Sequence, residues 1–546
     1  MKSSPWTEVL PLGDLLIRSA HRHPDRAALV FPQERATFSE LHEGALRVAR
    51  GLLAQGVQPG EQVGLLAANG VAFMQAFFGI ALMGAVSVPL NVRHKSSELG
   101  YIIANAELAA VLTQSDPQAH VDFASLLCEC VPGLSDADGS APLALPAAPR
   151  LRRAILLGGL PRQGFVAAEA FAARASDIPE QDVREHGRRV RLGDAATIIY
   201  TSGTTANPKG CMLSHEALTR GPMERATWRL ASGDADVHWG AGPLFHIGSL
   251  APCLGALGAG AAYATDLFFE PARALALIRD NRATTIWPWF PAIVLGLLEQ
   301  PGFDAQHLPD LRNIVLITSP SLAERVLERF PDAEIIQGCG MTETAGIFGL
   351  SAPTDTPLER ATTQGKVYPG LEVRLLRPDG AGDAAVGEIG EILVRGYCVM
   401  KGYYKDLVKT AEALDAQGWL HTGDLYQRDE SGNLVFNGRL KDMLKVGGEN
   451  VAAVELESYL AQHPAVRIAE VVGKPDPRLD EVPVAFVELH EGARLEPQQL
   501  IDFCKGRIAN FKVPREVHFM QPGEWPMSLT KIDKRGLRSR LAALGG

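Results

Sequence analysis

Residues 200–210 of this chain read Tyr200-Thr201-Ser202-Gly203-Thr204-Thr205-Ala206-Asn207-Pro208-Lys209-Gly210 and concentrate four aliphatic hydroxyls, two glycines and a lysine. Small residues let a backbone approach an anion closely, and converging N–H and O–H donors suit phosphate oxygens. Lys209 adds a point charge. The stretch is not the common P-loop, because no Gly-Lys-Ser/Thr stands at the required spacing. A Ser/Thr/Gly run by itself is most often a polar surface loop. Here the apolar run 195–199 before it reads as a buried strand, and Pro-Lys-Gly closes it. Both flanks favour anion binding.

Such a loop needs a rigid frame. Ser39-Glu40-Leu41 opens a helix to about residue 53, with Ser39 as its N-cap. Residues 63–66 read as a strand, 71–83 as a helix and 85–89 as a strand. This rhythm predicts right-handed crossovers and a largely parallel sheet. Residues 243–265 carry no Asp, Glu, Lys or Arg and read as a buried core segment, with a membrane span as the second reading. Residues 314–317 form a further strand, and an apolar helix occupies about 292–299. Ala, Pro, Gly and Arg dominate residues 115–190, which read as a surface excursion.

The loop resembles the signature of the adenylate-forming superfamily, which includes acyl-CoA synthetases, luciferases and the adenylation domains of peptide synthetases. Ala206 stands where that signature has glycine. Further motifs follow in the family's order: Phe245-His246, Thr318-Ser319-Pro320, Gln337-Gly338-Cys339-Gly340-Met341-Thr342-Glu343, Trp419-Leu420-His421-Thr422-Gly423-Asp424, Gly438-Arg439, Lys445-Val446-Gly447-Gly448 and Thr530-Lys531-Ile532. The resemblance covers nearly the whole chain apart from 115–190.

By that resemblance, Thr201, Ser202, Gly203, Thr204, Thr205 and Lys209 bind the phosphates of ATP. Ser319, Gln337, Gly338, Gly340 and Met341 border the nucleotide, and Cys339 replaces the aromatic that stacks on adenine. Thr342 reaches the α-phosphate and Glu343 ligates Mg²⁺, a hard cation that prefers carboxylate and phosphate oxygen. Asp424 accepts from the ribose hydroxyls, and Arg439 contacts the nucleotide. Lys441 is the hinge, Lys445, Gly447 and Gly448 line the pantetheine path, and Lys531 is the catalytic lysine. His246 stands beside the substrate carboxylate. Amino-acid-activating relatives have Asp in place of that histidine, so the expected acid has no α-amino group. Residues 286–291, rich in Trp, border the acyl pocket by resemblance and are equally readable as core. The run Lys534, Arg535, Arg538 and Arg540 reads as a solvated helix face.

The implied fold is α/β: a large N-terminal domain, 1–440, with mixed and parallel sheets and a β-rich part, and a small mobile α+β domain, 441–546. At 546 residues the chain is too long for one core. Its net charge of −10 argues against a nucleic-acid partner. Residues 1–16 lack the apolar core of a signal peptide. Seven scattered cysteines fit a reduced cytoplasmic protein, and Cys128 with Cys130 lacks the second pair that a zinc site needs.

The function implied is an AMP-forming acid–CoA ligase that uses ATP, Mg²⁺ and coenzyme A on an apolar acid: fatty, aryl, alicyclic or sterol-side-chain. Two alternatives stay open: delivery of the acyl group to a carrier protein, and a non-catalytic nucleotide-binding homologue. Homo-oligomer formation is open as well.

Overall fold

A computed structural model describes residues 8–119, 121–201, 207–289, 291–318, 320–446, 449–528 and 531–544. Ser202, Gly203, Thr204, Thr205 and Ala206 of the hydroxyl loop lie outside the described residues, as do Ser319, Gly447, Gly448 and Thr530.

Short apolar runs become strands covered on both faces, as a parallel sheet requires. Gln62–Leu66 pairs in parallel with Val86–Pro89 and Ala110–Ser115. Ala195–Thr201 joins Val86–Pro89 in parallel. The sheet then turns mixed: Lys209–Ser214 returns antiparallel, and Gly402–Tyr403 adds antiparallel to it. The hydroxyl loop therefore links two antiparallel strands whose last pair is Thr201 with Lys209. A second large sheet carries Val237–Gly240, Thr285–Trp289, Asn313–Leu316 and Glu334–Met341 in parallel at its centre.

Helices seal both sheets. Val71–Leu82 is apolar all round and correspondingly buried, with Phe73, Phe77 and Phe78 inside the core. Phe38–Ala54 begins one residue before the expected start, and Thr37, not Ser39, is its N-cap. A capping box needs an acid three residues on. Glu40 supplies it for Thr37, accepting the Thr37 N–H at 2.8 Å, whereas Ser39 would face His42.

Residues 115–190 are more than a surface excursion. Arg153–Gly159 forms the parallel edge strand beside Ala110–Ser115. Leu127, Leu134 and Phe165 are buried beneath it. Its apolar run is too short to stand out against the surrounding Ala and Pro. Residues 243–265 are core as expected: Ile247–Ala259 is a buried helix and Ala262–Ala264 a buried strand. Among the described residues no helix is long and apolar enough to cross a membrane.

Leu371–Leu376, Ile389–Gly396, Leu420–Arg428 and Leu434–Arg439 form an antiparallel sheet. The chain from Met443 builds another sheet with its own apolar core. Lys531–Ile532 pairs with Met527–Ser528 beside it. The final helix, Lys534–Leu544, is not simply solvated: Lys534 ion-pairs with Glu457, and Arg538 with Asp442 at 2.8 Å. Those acids are far away in sequence, which hid the pairing.

Candidate active site

One cavity of about 700 Å³ collects residues from both large sheets, the antiparallel sheet and the C-terminal segment. Lys209, Thr201, Tyr403, Thr342 and Glu343 line one part of it. The Lys209 ammonium sits 4.2 Å from the centre of the Tyr403 ring, a cation–π contact. The Tyr403 hydroxyl donates to Glu343 Oε1 at 2.8 Å. Burial first, then the Glu343 charge, raises the Tyr403 pKa, so the phenol keeps its proton. Thr342 and Glu343 occupy a single 3-10 turn after Glu334–Met341. The strand beneath that turn needs glycine at 340, because a Cβ there would lie 2.2 Å from the Gly346 carbonyl oxygen.

Asp424 and Arg439 are direct cross-strand partners and form an ion pair at 3.0 Å. The turn leading to Asp424 is held by Glu391, which accepts the Gly423 N–H at 2.9 Å, and by Thr422, which accepts the Asp424 N–H at 3.1 Å. Desolvation raises the Asp424 pKa, against the opposing pull of Arg439 and Lys531. Lys531 reaches the same cavity. Surrounding protein desolvates its ammonium and Arg439 repels it, so its pKa falls to about 8 despite Asp424. Lys441 lines the cavity beside Arg439.

His246 stands where this charged part meets an apolar part. It is the N-cap of Ile247–Ala259, and its Nδ1 accepts the Gly248 N–H at 3.0 Å. That bond fixes the tautomer: Nε2 carries the proton. Desolvation, and secondarily Lys531, lowers its pKa to about 4, so the ring is neutral near pH 7. The apolar part includes Ile247, Ala251, Trp289 and Ile347. Trp289 Nε1 donates to the Gly248 carbonyl at 2.6 Å and adopts φ 53°, a conformation strained for a bulky residue. Arg225 also borders this part. Among the described lining residues of the apolar part, none is acidic.

Thus His246, Thr201, Lys209, Gly340, Met341, Thr342, Glu343, Asp424, Arg439, Lys441 and Lys531 meet around one space. Four other expected residues do not line it. The Cys339 side chain is 2% exposed and faces the core near Gly349, outside the cavity lining. Burial raises its thiol pKa. Gln337 is buried, receiving the Thr318 N–H at 3.1 Å and donating to the Ala361 carbonyl; it supports the site from behind. Gly338 packs against Leu350, and Lys445 is exposed outside the cavity. Tyr403, Glu391 and Arg225 were not assigned roles from sequence. For Tyr403, only its contact with Glu343 marks it.

The sequence profile of the AMP-binding enzyme family matches residues 16–404, and that of the AMP-binding enzyme C-terminal domain matches 455–528. The mitochondrial medium-chain acyl-CoA ligase ACSF2 of Mus musculus is 30% identical over 97% of this chain and 87% of its own. A methyl-dioxo-octahydroindenyl-propanoyl:CoA ligase of Mycobacterium tuberculosis is 33% identical over 92% of this chain and 94% of its own. The crystal structure of the anthranilate CoA ligase AuaEII with anthranoyl-AMP superposes with a TM-score of 0.83 at 27% identity, covering 100% of both chains. With Thr201, Lys209, the Thr342-Glu343 turn, Asp424 and Lys531 around one cavity, the chain belongs to the AMP-binding enzyme family, in the acid–CoA ligase branch of the adenylate-forming superfamily.

Proposed function

We propose that this chain joins an apolar carboxylic acid to coenzyme A in two steps within the one cavity. In the first, a carboxylate oxygen attacks the α-phosphorus of ATP, and the bond to pyrophosphate breaks. In the second, the CoA thiol sulfur attacks the acyl carbonyl carbon; its bond to AMP breaks and the thiol proton goes to solvent or a phosphate. The observation that carries the reading is the convergence of Lys531, Asp424 and His246 on one space, with Lys531 held at a pKa of about 8.

Each step asks charge control of the protein. The carboxylate and α-phosphate repel as they meet, and the Lys531 ammonium offsets that repulsion by preorganised charge. Neutral His246 presents Nε2–H, a donor suited to the substrate carboxylate without a competing positive charge. Asp424 receives the ribose hydroxyls, with Arg439 opposing the desolvation that raises its pKa. Lys209 and Thr201 meet the outer phosphates. The donor set also fits Mg²⁺: Glu343 supplies one carboxylate, and Mg²⁺ takes most remaining ligands from phosphate and water. Bound there, the ion neutralises phosphate charge.

The apolar part without acidic residues supports acids that lack an α-amino group, since an unpaired buried ammonium is strongly disfavoured. Relatives named for medium-chain and for dioxo-bicyclic acids support fatty or alicyclic substrates. We place the adenylating domain at 1–440 and the small domain at 441–546, with Lys441 as hinge; the separate sheet from Met443 supports this. Seven unpaired cysteines support a cytoplasmic setting.

The test incubates purified protein with ATP, Mg²⁺ and a carboxylic-acid panel, with and without CoA, reading pyrophosphate and thioester. Both products are expected. Pyrophosphate without acyl-CoA would point to a carrier protein as acceptor, and neither product to a non-catalytic homologue.

A further inference from the structure

Arg225 is 2% exposed, yet it borders the apolar part of the cavity. It sits in Glu224–Arg229, a π-helical turn, a rare geometry that often accompanies functional sites. The flanking residues of that turn are fully engaged: Glu224 accepts the Tyr397 hydroxyl at 2.9 Å, and Arg229 ion-pairs with Glu334 at 2.9 Å. Arg225 is not. Its Nη1 donates to the Ile347 carbonyl at 3.1 Å, while Nε and Nη2 meet no hydrogen-bond partner among the described residues. The Tyr368 hydroxyl lies beside the guanidinium but does not line the cavity. Buried donors are overwhelmingly paired, and a buried cation without a counter-ion is held at considerable cost. An apolar pocket for a plain hydrocarbon tail has no use for one.

We propose that Arg225 receives a second acceptor oxygen at the end of the acid remote from the reacting carboxylate. The substrate class is thus an acid with an apolar body and a distal carbonyl or carboxylate, a keto acid or a dicarboxylic acid. This deepens the ligase reading above and rests on it. A methyl terminus would instead leave the two guanidinium donors Nε and Nη2 buried and unpaired. Sites built around a hydrogen bond discriminate strongly against analogues that lack it.

The test compares octanoate, 7-oxooctanoate and octanedioate as substrates of the full chain, reading acyl-CoA formation as kcat/KM. Wild type is expected to favour at least one of the two oxygenated acids over octanoate by about tenfold or more. Arg225→Met is expected to collapse that ratio. Arg225→Lys is expected to keep a preference for octanedioate over 7-oxooctanoate if the distal group is a carboxylate, and to lose it if the group is a ketone. Should Arg225→Met fail to fold, Arg225→Lys and the wild-type ratio decide. Equal or better use of octanoate by wild type would overturn the proposal while leaving the ligase reading intact, and would assign the two donors to internal water. Absence of thioester from all three acids and from the wider panel would overturn both.

Discussion

At the charged end of the cavity, functional side chains hold one another. Lys209 lies over Tyr403, Tyr403 donates to Glu343, and Arg439 pairs with Asp424. At the apolar end, side chains are held by main chain: His246 by the Gly248 amide, Trp289 by the Gly248 carbonyl and Arg225 by the Ile347 carbonyl. The difference concerns how each end tolerates change. A network of side chains transmits the loss of one member to the next, and its single-residue effects do not add. Groups anchored on backbone respond one at a time. One end must hold a fixed charge pattern for chemistry common to every acid, while the other can be altered without disturbing it.

The largest effect is expected at the charged end. Lys531→Ala is expected to slow adenylation by about a thousandfold, the order seen when a preorganised charge is removed. Acyl-CoA formation from synthetic acyl-adenylate is expected to survive. Equal loss in both half-reactions would show that Lys531 is not specific to the first. Next, Asp424→Asn and Arg439→Met are each expected to raise the KM for ATP by roughly ten- to a hundredfold, as loss of charged hydrogen bonds does. The double variant is expected to be little worse than either single one; additive losses would break the picture of a coupled end.

Proton titration gives the third expectation. Lys531 is charged below a pKa of about 8 and neutral above it, with Arg439 and Asp424 opposing each other around it. Adenylation kcat/KM is therefore expected to fall by about tenfold per pH unit above that value, as a required acid form is lost. Lys531→Arg, if active, moves that limb to higher pH. His246, neutral down to about pH 4, adds no limb near pH 7.

At the apolar end, Ala251→Leu fills space in the cavity lining. It is expected to lower kcat/KM for bulky acids by about tenfold, as a few methylenes do in an apolar pocket, with the KM for ATP unchanged. A change in ATP binding would erase the contrast between the ends. The smallest effect on catalysis is expected from Cys339→Tyr. Its site is packed core, so the added ring is expected to destabilise the fold by about 1–3 kcal/mol, read as a lower Tm, without tightening ATP.

Most of the charged end was legible in the sequence. Lys209, Thr342, Glu343, Asp424 and Lys531 sit in short stretches whose local composition suits their chemistry. Turns and strand ends are specified by a few neighbouring residues, so a hydroxyl-rich loop or a Gly-Asp turn is visible without the fold. The strand and helix rhythm of the first sheet was legible for the same reason. The capping residue was misplaced by two positions, because Ser39 and Thr37 both suit a cap and only the reciprocal bond to Glu40 separates them.

The sequence alone determined which chemical groups this protein owns and the order in which they occur. The tertiary structure decided which of them face the same space. Successive strand side chains point to opposite faces, and which face lines a cavity depends on what packs on the sheet; Cys339 therefore turned inward although its neighbour Gly340 borders the site. Arg225 acquired meaning only when folding buried it at the edge of the cavity that Trp289 and Ile347 also line, with Nε and Nη2 unpartnered among the described residues. The charge states of Lys531 and His246 were likewise set by folding, because desolvation and neighbouring charge act through space and not along the chain.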